Sequence, residues 1–188
     1  SYHNEIINNS CSHNSIGING IYSDENEIIG NNCSDNIQCG INFYGDSSDN
    51  NLISNNICNN NQYGMWLNAV VGSAVLNNTC NDNLHVGIFI EYRSKNNLIS
   101  NNTIINNGFV LFVPGYPNNG AGNGLVIDGS GEYNACDGNT ISNNTIEGSN
   151  FYGIRILSSS GNLMFGNILR GNNNTTSAFD PTWVQAYD

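Results

Sequence analysis

Seven similar segments recur along the chain and align with one another without gaps. They are NEIINNSC, NEIIGNNC, NLISNNIC, SAVLNNTC, NLISNNTI, NTISNNTI and NLMFGNIL, and they begin at Asn4, Asn26, Asn51, Ser73, Asn97, Asn139 and Asn162. Their starting points are separated by 22, 25, 22, 24, 42 and 23 residues. A period near 23 residues, with short apolar runs between turn residues, is typical of one coil of a solenoid built from β-strands.

Each aligned column predicts a role in the coil. The third position is always apolar, and the eighth holds Cys, Ile or Leu, so both columns are predicted to face the core. The fifth position holds only Asn or Gly, the residues that best tolerate a left-handed backbone, which predicts a tight corner. The sixth position is always Asn, and stacked Asn amides can hydrogen-bond along the coil axis. The sixth-position residues are Asn9, Asn31, Asn56, Asn78, Asn102, Asn144 and Asn167.

A further strand is predicted after a glycine in most repeats, in GINFY, GMWLN, GIFIE, GLVID and GIRIL. The first repeat departs from this pattern, because Gly20 stands where a large apolar residue is expected. We therefore predict an all-β fold, a right-handed single-stranded parallel β-helix of about seven coils. The repeats are predicted to span residues 1–171, with a Gly-, Pro- and aromatic-rich loop insertion at 107–123 in coil five. Residues 172–188 are predicted to form a C-terminal cap or linker, in which Phe179, Trp183 and Tyr187 cover the open end of the core.

The charge balance excludes several classes of partner. The chain has 15 acidic and 4 basic residues and a net charge of −11, so it has too few cations to neutralise nucleic-acid phosphates or to bind an anionic membrane surface. No apolar run approaches the roughly 18–20 residues that a membrane-spanning helix needs. The polar, acidic, Asn-rich composition favours an extracellular or cell-surface location.

The N-x-I-x-x-N motif followed by G-I-x-[IFL] resembles the β-helix repeats of the NosD type, which are also described as carbohydrate-binding and sugar-hydrolase repeats. The resemblance covers residues 4–171. Archaeal cell-surface proteins carry such repeats, among them the disaggregatase group, which acts on cell-wall polysaccharide. The resemblance implies an extracellular or periplasmic protein whose partner is a sugar polymer, and it assigns no catalytic residue.

Four cysteines occupy the eighth position of successive repeats. Cys11, Cys33, Cys58 and Cys80 are predicted to stack about 4.8 Å apart, which is within the Cα range of a disulfide. Bridges between Cys11 and Cys33 or between Cys58 and Cys80 are therefore one alternative. Stacked side chains point the same way, however, and this favours a reduced apolar ladder. No metal site is predicted, because the three histidines are scattered over three coils.

The outward face of the post-glycine strand carries the candidate catalytic residues. Alternation along the strand places Glu91 and Asp128 on neighbouring coils, with their Cα atoms roughly 5 Å apart. Such a pair can act as acid and as nucleophile or base on a glycosidic bond, or bind Ca²⁺, although no cofactor is required. Arg155, one coil further on, can hold a substrate carboxylate bidentately.

Five other residues near this strand are candidate substrate-binding groups. Trp66 offers a flat apolar face to a sugar ring, and Asn68 lies in the same outward column as Glu91. His85, Tyr92 and Arg93 flank the strand and are candidate bases for a β-elimination. The sequence thus predicts a hydrolase or lyase that acts on an extracellular polysaccharide.

A non-catalytic role remains open beside the enzymatic one. In this alternative the chain is a carbohydrate-binding or structural surface module, and Glu91 and Asp128 are solvated acids. The outward column of Trp66, Phe89 and Val126 is then an apolar face that packs against a second copy, for example around a threefold axis.

Overall fold

The structure, a computed structural model, describes residues 1–45, 48–109, 122–131 and 134–172, together with the backbone of 183–186. Within these ranges the regular secondary structure is entirely β. In chain order the strands are β1 (Glu5–Ile7), β2 (Ile16–Ile21), β3 (Glu27–Ile29), β4 (Cys39–Tyr44), β5 (Leu52–Ser54), β6 (Tyr63–Asn68), β7 (Ala74–Leu76), β8 (Val86–Glu91), β9 (Leu98–Ser100), β10 (Thr103–Ile105), β11 (Asn123–Asp128), β12 (Thr140–Ser142), β13 (Thr145–Glu147), β14 (Ile154–Leu157), β15 (Leu163–Phe165), β16 (Ile168–Arg170) and β17 (Trp183–Ala186).

Three sheets run along the axis of the coil. The first contains β1, β3, β5, β7, β9, β12 and β15, the second β10, β13 and β16, and the third β2, β4, β6, β8, β11, β14 and β17, each in that order. All pairings among β1 to β16 are parallel, and β17 joins β14 antiparallel. Before β10 the second side of the coil is reduced to isolated bridges such as that between Ile57 and Thr79. Parallel strands joined by crossovers wind right-handed, so the predicted right-handed parallel β-helix is confirmed.

The core is one apolar column inside the three sheets. The third-position residues and the eighth-position residues both belong to it, with those of the two end repeats only partly buried. The inward residues of the third sheet complete the column; they are Ile41, Phe43, Met65, Leu67, Ile88, Ile90, Leu125, Ile127, Ile154 and Ile156. At the first coil, Phe43 occupies the space left by Gly20, because a Cβ on Gly20 would lie 2.5 Å from Cε1 of Phe43.

All six cysteines are free thiols. Cys33, Cys58 and Cys80 are fully buried, and Cys11 packs against the same cluster while partly exposed. Neither of the two conceivable bridges is present, so the column is the reduced apolar ladder that the repeat favours.

Backbone geometry confirms the predicted corner. All seven fifth-position residues have a positive φ, between 55° and 69°. At this corner the sixth-position amides form the predicted ladder, each Nδ2 donating to Oδ1 of the next coil. For example, Asn56 donates to Asn78 at 3.0 Å, and Asn78 donates to Asn102 at 3.0 Å. The unbroken series shows that residues one repeat apart in sequence are neighbours in space.

Two further polar ladders were not predicted. The first position of each repeat forms one, as in the bond from Nδ2 of Asn26 to Oδ1 of Asn51 at 3.0 Å. The other uses the residue three places after the eighth position, as in the bond from Nδ2 of Asn83 to Oδ1 of Asn107 at 3.0 Å. Three columns of polar side chains, all Asn except for Ser73 and Ser149, therefore satisfy buried polar groups along the coil.

The insertion and the cap are only partly described. The insertion falls largely on residues 110–121, which lie outside the described residues, as do Phe179 and Tyr187. Trp183 belongs to β17, whose backbone closes the edge of the third sheet by pairing with β14. The division of the chain at residues 171 and 172 stays a prediction.

Candidate functional site

The outer face of the third sheet carries the candidate residues in the predicted register. Its strands stack so that outward residues of successive coils pair in two columns. The first column is Trp66, Phe89, Val126 and Arg155, and the second is Asn68, Glu91, Asp128 and Leu157. Glu91 and Asp128 are therefore adjacent across two hydrogen-bonded strands, as expected.

The carboxylate of Glu91 is held by two side chains of the preceding coil. Its Oε1 accepts hydrogen bonds from Nε1 of Trp66 at 2.8 Å and from Nδ2 of Asn68 at 2.9 Å. Oε2 accepts no hydrogen bond from any residue that the structure describes. The structure thus brings three predicted site residues together and orients the half-buried carboxylate through one of its oxygens.

Asp128, on the next coil, is more enclosed. It is 7% exposed, and its Oδ1 accepts a hydrogen bond from the backbone N–H of Ser130 at 2.8 Å. The alternative in which both acids are solvated is therefore wrong for Asp128. One buried and one half-buried carboxylate stand side by side.

Arg155 is enclosed as well, at 8% exposed. Its Cζ lies 5.9 Å from the ring centroid of Tyr152. Burial lowers the pKa of Arg155, and its interactions with Tyr152 and Asp128 act in the opposite direction. An Arg side chain keeps its charge at neutral pH, so a cation lies near Asp128 at this end of the face.

Tyr92 and Arg93 follow Glu91 directly. Both have a positive φ, 50° and 61°, which turns the chain sharply away from β8. Arg93 is exposed, and its Cζ lies 5.2 Å from the ring centroid of Tyr92. Two residues further, Nζ of Lys95 lies 3.4 Å from Oδ2 of Asp137. Arg93 and Lys95 thus follow Glu91 closely in the chain, and Arg155 interacts with Asp128.

His85 does not belong to the carboxylate site. It precedes the first residue of β8, whereas Glu91 is the last residue of that strand, so the strand separates them. The ring of His85 is buried, 5.2 Å from that of Tyr63, and burial lowers its pKa. His85 therefore flanks β8 as expected, but at the end of the strand opposite to Glu91.

A second, smaller apolar cluster lies on the outer side of the third sheet. It contains Cys39, Tyr63, Val86, Phe89 and Val126, with Ile16 and Trp66 packed against it. The predicted apolar column is not an exposed face, because Phe89 is 1% and Val126 0% exposed in the single chain. These two residues are not available for a subunit contact, which removes the basis for the expected trimer surface.

Tyr63 was missed because alternation along the strand predicts it to face inward. The ladder between β6 and β8 passes from Tyr63 to Met65 without pairing Gly64, whose backbone approaches the carbonyl oxygen of Gly87 too closely for a side chain. Tyr63, before this glycine, does not follow the alternation of the residues after it. A large aromatic residue directly before the strand glycine was the signal in the sequence.

A depression of about 240 Å³ adjoins the carboxylates on the side of the earlier coils. It is lined by Ile16, Gln38, Cys39, Asn42, Tyr44, Trp66 and Asn68. Trp66 and Asn68 are therefore shared between the depression and the hydrogen bonds to Glu91. Asn42 and Tyr44 continue the two outward columns but were not predicted to be functional.

Comparison with known proteins agrees with this architecture. A family model described as periplasmic copper-binding protein (NosD) matches residues 1–185. No curated protein sequence matches the chain.

Several solved structures are similar in fold. A mutant of the periplasmic alginate epimerase AlgG superposes with a TM-score of 0.68 at 15% identity, and the match covers 89% of this chain and 40% of the epimerase chain. The alginate lyase of Paenibacillus sp. str. FPU-7 gives 0.66 at 14% identity, covering 90% of this chain and 69% of its own. The A-module of the Azotobacter vinelandii mannuronan C-5 epimerase AlgE4 gives 0.57 at 16% identity, covering 96% and 57%. At these identities the likeness shows the parallel β-helix fold.

The described residues do not fit a copper centre. Copper is bound by Cys, His and Met side chains gathered at one point. In the part of the chain that the structure describes, no group of three or more His, Cys, Asp or Glu side chains is placed to hold a metal ion. No step of the proposed chemistry therefore passes through copper.

The described ranges also contain no helix of the length and apolarity needed to cross a membrane.

Proposed function

The chain belongs to the NosD family of β-helix proteins, and from the geometry of its third sheet we propose that it binds and processes a polysaccharide outside the cytoplasm. The observation that carries the proposal is the oriented carboxylate of Glu91 beside Asp128. The periplasmic description of the family supports the location, and the alginate enzymes that share the fold support a polysaccharide partner.

Glu91 and Asp128 are the two carboxyl groups of a glycosidic-bond hydrolase in this proposal. One gives a proton to the leaving oxygen, and the other acts as nucleophile or activates water. Glu91 is the more accessible of the two, and its Oε2 accepts no hydrogen bond from the residues that the structure describes. Arg155, near Asp128, balances negative charge or binds a sugar carboxylate.

The same face also fits a lyase acting on a uronate polymer. In that reaction a cation neutralises the sugar carboxylate while a base removes the adjacent C5 proton, and the bond to the 4-oxygen then breaks. Arg93 and Arg155 are the candidate cations, and Tyr92 is a candidate base. The exposed position of Arg93 beside Tyr92 favours this second candidate.

The proposal is tested by incubating the protein with acidic polysaccharides, including alginate, and with neutral ones. New reducing ends without ultraviolet absorbance indicate hydrolysis, whereas an unsaturated uronate chromophore indicates a lyase. We expect Glu91→Gln and Asp128→Asn each to lower the rate by about 100-fold or more. Glu27→Gln is the matched control, because Glu27 is an exposed carboxylate on the first sheet.

Two outcomes contradict the proposal. If both variants fold as the parent chain does, as judged by circular dichroism, and remain active, then Glu91 and Asp128 are not the catalytic residues. Glycan binding without any cleavage by the parent chain favours instead the non-catalytic module, for which the aromatic and amide lining of the neighbouring depression is the supporting observation.

A further inference from the structure

We propose that the depression bounded by Tyr44 and Trp66 is a separate subsite that binds one uncharged sugar unit. The inference rests on the proposed function, since the sugar is taken to belong to the polysaccharide that reaches Glu91.

The lining of the depression has the chemistry of a neutral sugar site. Tyr44 and Trp66 provide aromatic surfaces for the apolar C–H face of a pyranose ring, and Gln38, Asn42 and Asn68 provide amides for its hydroxyl groups. None of the lining side chains is charged. A carboxylate buried there would lose its hydration without gaining a cation, so an acidic sugar is disfavoured.

The hydrogen bonds already made by one amide sharpen this argument. Asn68 donates through Nδ2 to Oε1 of Glu91, and a carboxylate oxygen can only accept, which fixes the orientation of the amide. Oδ1 of Asn68 is therefore an acceptor beside the depression. Sugar hydroxyls can donate to such an oxygen, whereas an ionised carboxylate cannot.

The size of the depression limits the ligand. A volume of about 240 Å³ is below the roughly 300–1,000 Å³ of sites that enclose drug-sized ligands, so one ring fits and an oligosaccharide does not.

The depression and the carboxylates form one continuous surface. Strands β4, β6 and β8 are consecutive in the third sheet, so Tyr44 and Glu91 are two coils apart, about 10 Å along the axis. Trp66 and Asn68 belong to the coil between them and contact both regions. A glycan running along the coil axis can therefore occupy both at once.

The distribution of basic residues makes the two ends of this surface different. Arg93, Lys95 and Arg155 follow Glu91 in the chain, and no Lys or Arg precedes Arg93. The neutral subsite thus lies on the side of Glu91 that lacks Lys and Arg, so acidic sugar units are expected on the opposite side.

The subsite is tested by saturation-transfer NMR with short neutral oligosaccharides and, separately, with uronic acid oligosaccharides. We expect contacts to the neutral sugars, a loss of about tenfold in affinity in Tyr44→Ala, and unchanged affinity in Glu27→Gln, which changes an exposed carboxylate on the first sheet. Tyr2→Ala is the matched control, because Tyr2 is exposed and does not line the depression. Asn42→Leu is a second variant, which removes an amide but keeps a side chain of similar shape. We expect it also to weaken sugar binding.

The outcomes separate this inference from the proposed function. Binding of uronic acid sugars as tightly as neutral ones, or equal binding by the parent chain and Tyr44→Ala, overturns the neutral subsite even if a polysaccharide is cleaved. Neutral sugar binding that Tyr44→Ala weakens supports the subsite even if no polysaccharide is cleaved, in which case only the catalytic proposal fails.

Discussion

Asn102, in the middle of the sixth-position ladder, allows the contribution of the amide columns to be measured. It is 1% exposed. Its Nδ2 donates to the carbonyl oxygen of Val75 at 2.9 Å and to Oδ1 of Asn144 at 3.0 Å. Its Oδ1 accepts from the backbone N–H of Asn78 at 2.9 Å and from Nδ2 of Asn78 at 3.0 Å. Truncation to alanine therefore removes a partner from groups on two neighbouring coils at once.

We expect Asn102→Ala to lower the free energy of unfolding by about 4 kcal/mol, because it removes four hydrogen bonds worth about 1 kcal/mol net each. This is a large part of the 5–15 kcal/mol that stabilises an ordinary domain. Asn9→Ala is the matched control at the exposed end of the same ladder. There Nδ2 donates to the carbonyl oxygen of Ile7 at 3.0 Å and to Oδ1 of Asn31 at 3.1 Å. Water can replace these bonds, so we expect a loss below about 1 kcal/mol.

The measurement is urea unfolding followed by circular dichroism, together with hydrogen exchange of the amides in β7, β9 and β12. The second probe is needed because solenoids can open locally rather than all at once. Asn102→Leu separates hydrogen bonding from packing, since it fills the space but leaves the polar groups unpaired. The reasoning is refuted if Asn102→Leu is as stable as the parent chain, or if the changes at Asn102 and Asn9 cost the same.

Three other changes follow from single features of the coil. Gly20→Ala brings a Cβ against Phe43, so we expect it to lower the free energy of unfolding by about 1–3 kcal/mol, measured by thermal unfolding. Adding Phe43→Leu should restore part of this stability, and a double variant with no gain in stability contradicts the steric explanation. Asn101 has a φ of 56°, a left-handed conformation that Gly tolerates and Val does not. Asn101→Gly should therefore change the free energy of unfolding by less than about 1 kcal/mol, and Asn101→Val should lower it by about 2 kcal/mol. Equal urea midpoints for the two variants would contradict a left-handed backbone at this position. Burial raises the pKa of Cys39 to about 12 from its usual 9.0. As the pH rises, the unfolded chain therefore loses this proton before the folded chain does, and the free energy of unfolding falls between pH 9 and pH 12. The fall is about 1.4 kcal/mol at pH 10. The stability difference between the parent chain and Cys39→Ala should therefore shift by that amount between pH 7 and pH 10, and a constant difference would exclude the linkage.

The fold could be predicted because a repeat turns sequence spacing into spatial contact. The corner needed only the Asn or Gly restriction at the fifth position, and the ladder needed only the invariant Asn beside it. The two missed ladders carried a similar signal. Asn or Ser stands three residues after every eighth-position residue, as Asn36 stands after Cys33 and Asn83 after Cys80. Polar residues at a fixed offset from an inward column are expected to be buried and to bond to one another.

The candidate site was less predictable for a specific physical reason. Register depends on the backbone, and the pairing of Glu91 with Asp128 follows from the repeat alone. The bonds from Trp66 and Asn68 to Glu91 depend on side-chain rotamers, which the repeat does not determine. Burial of Phe89 depends on what packs outside the sheet, and period-2 alternation specifies only the face.

Separate roles for the corners and the faces explain why one coil can carry different functions. The amide ladders and the apolar column need the same residue type on every coil, so a change there affects neighbours on both sides. Outward residues of the third sheet meet no such requirement: Asn68, Glu91 and Leu157 occupy equivalent places on three coils. Each coil contributes one or two side chains to the outer face, and a site is assembled from several coils. The fold can therefore persist while the outer face changes, and for this reason function in this chain has to be argued from Glu91 and its neighbours rather than from the β-helix.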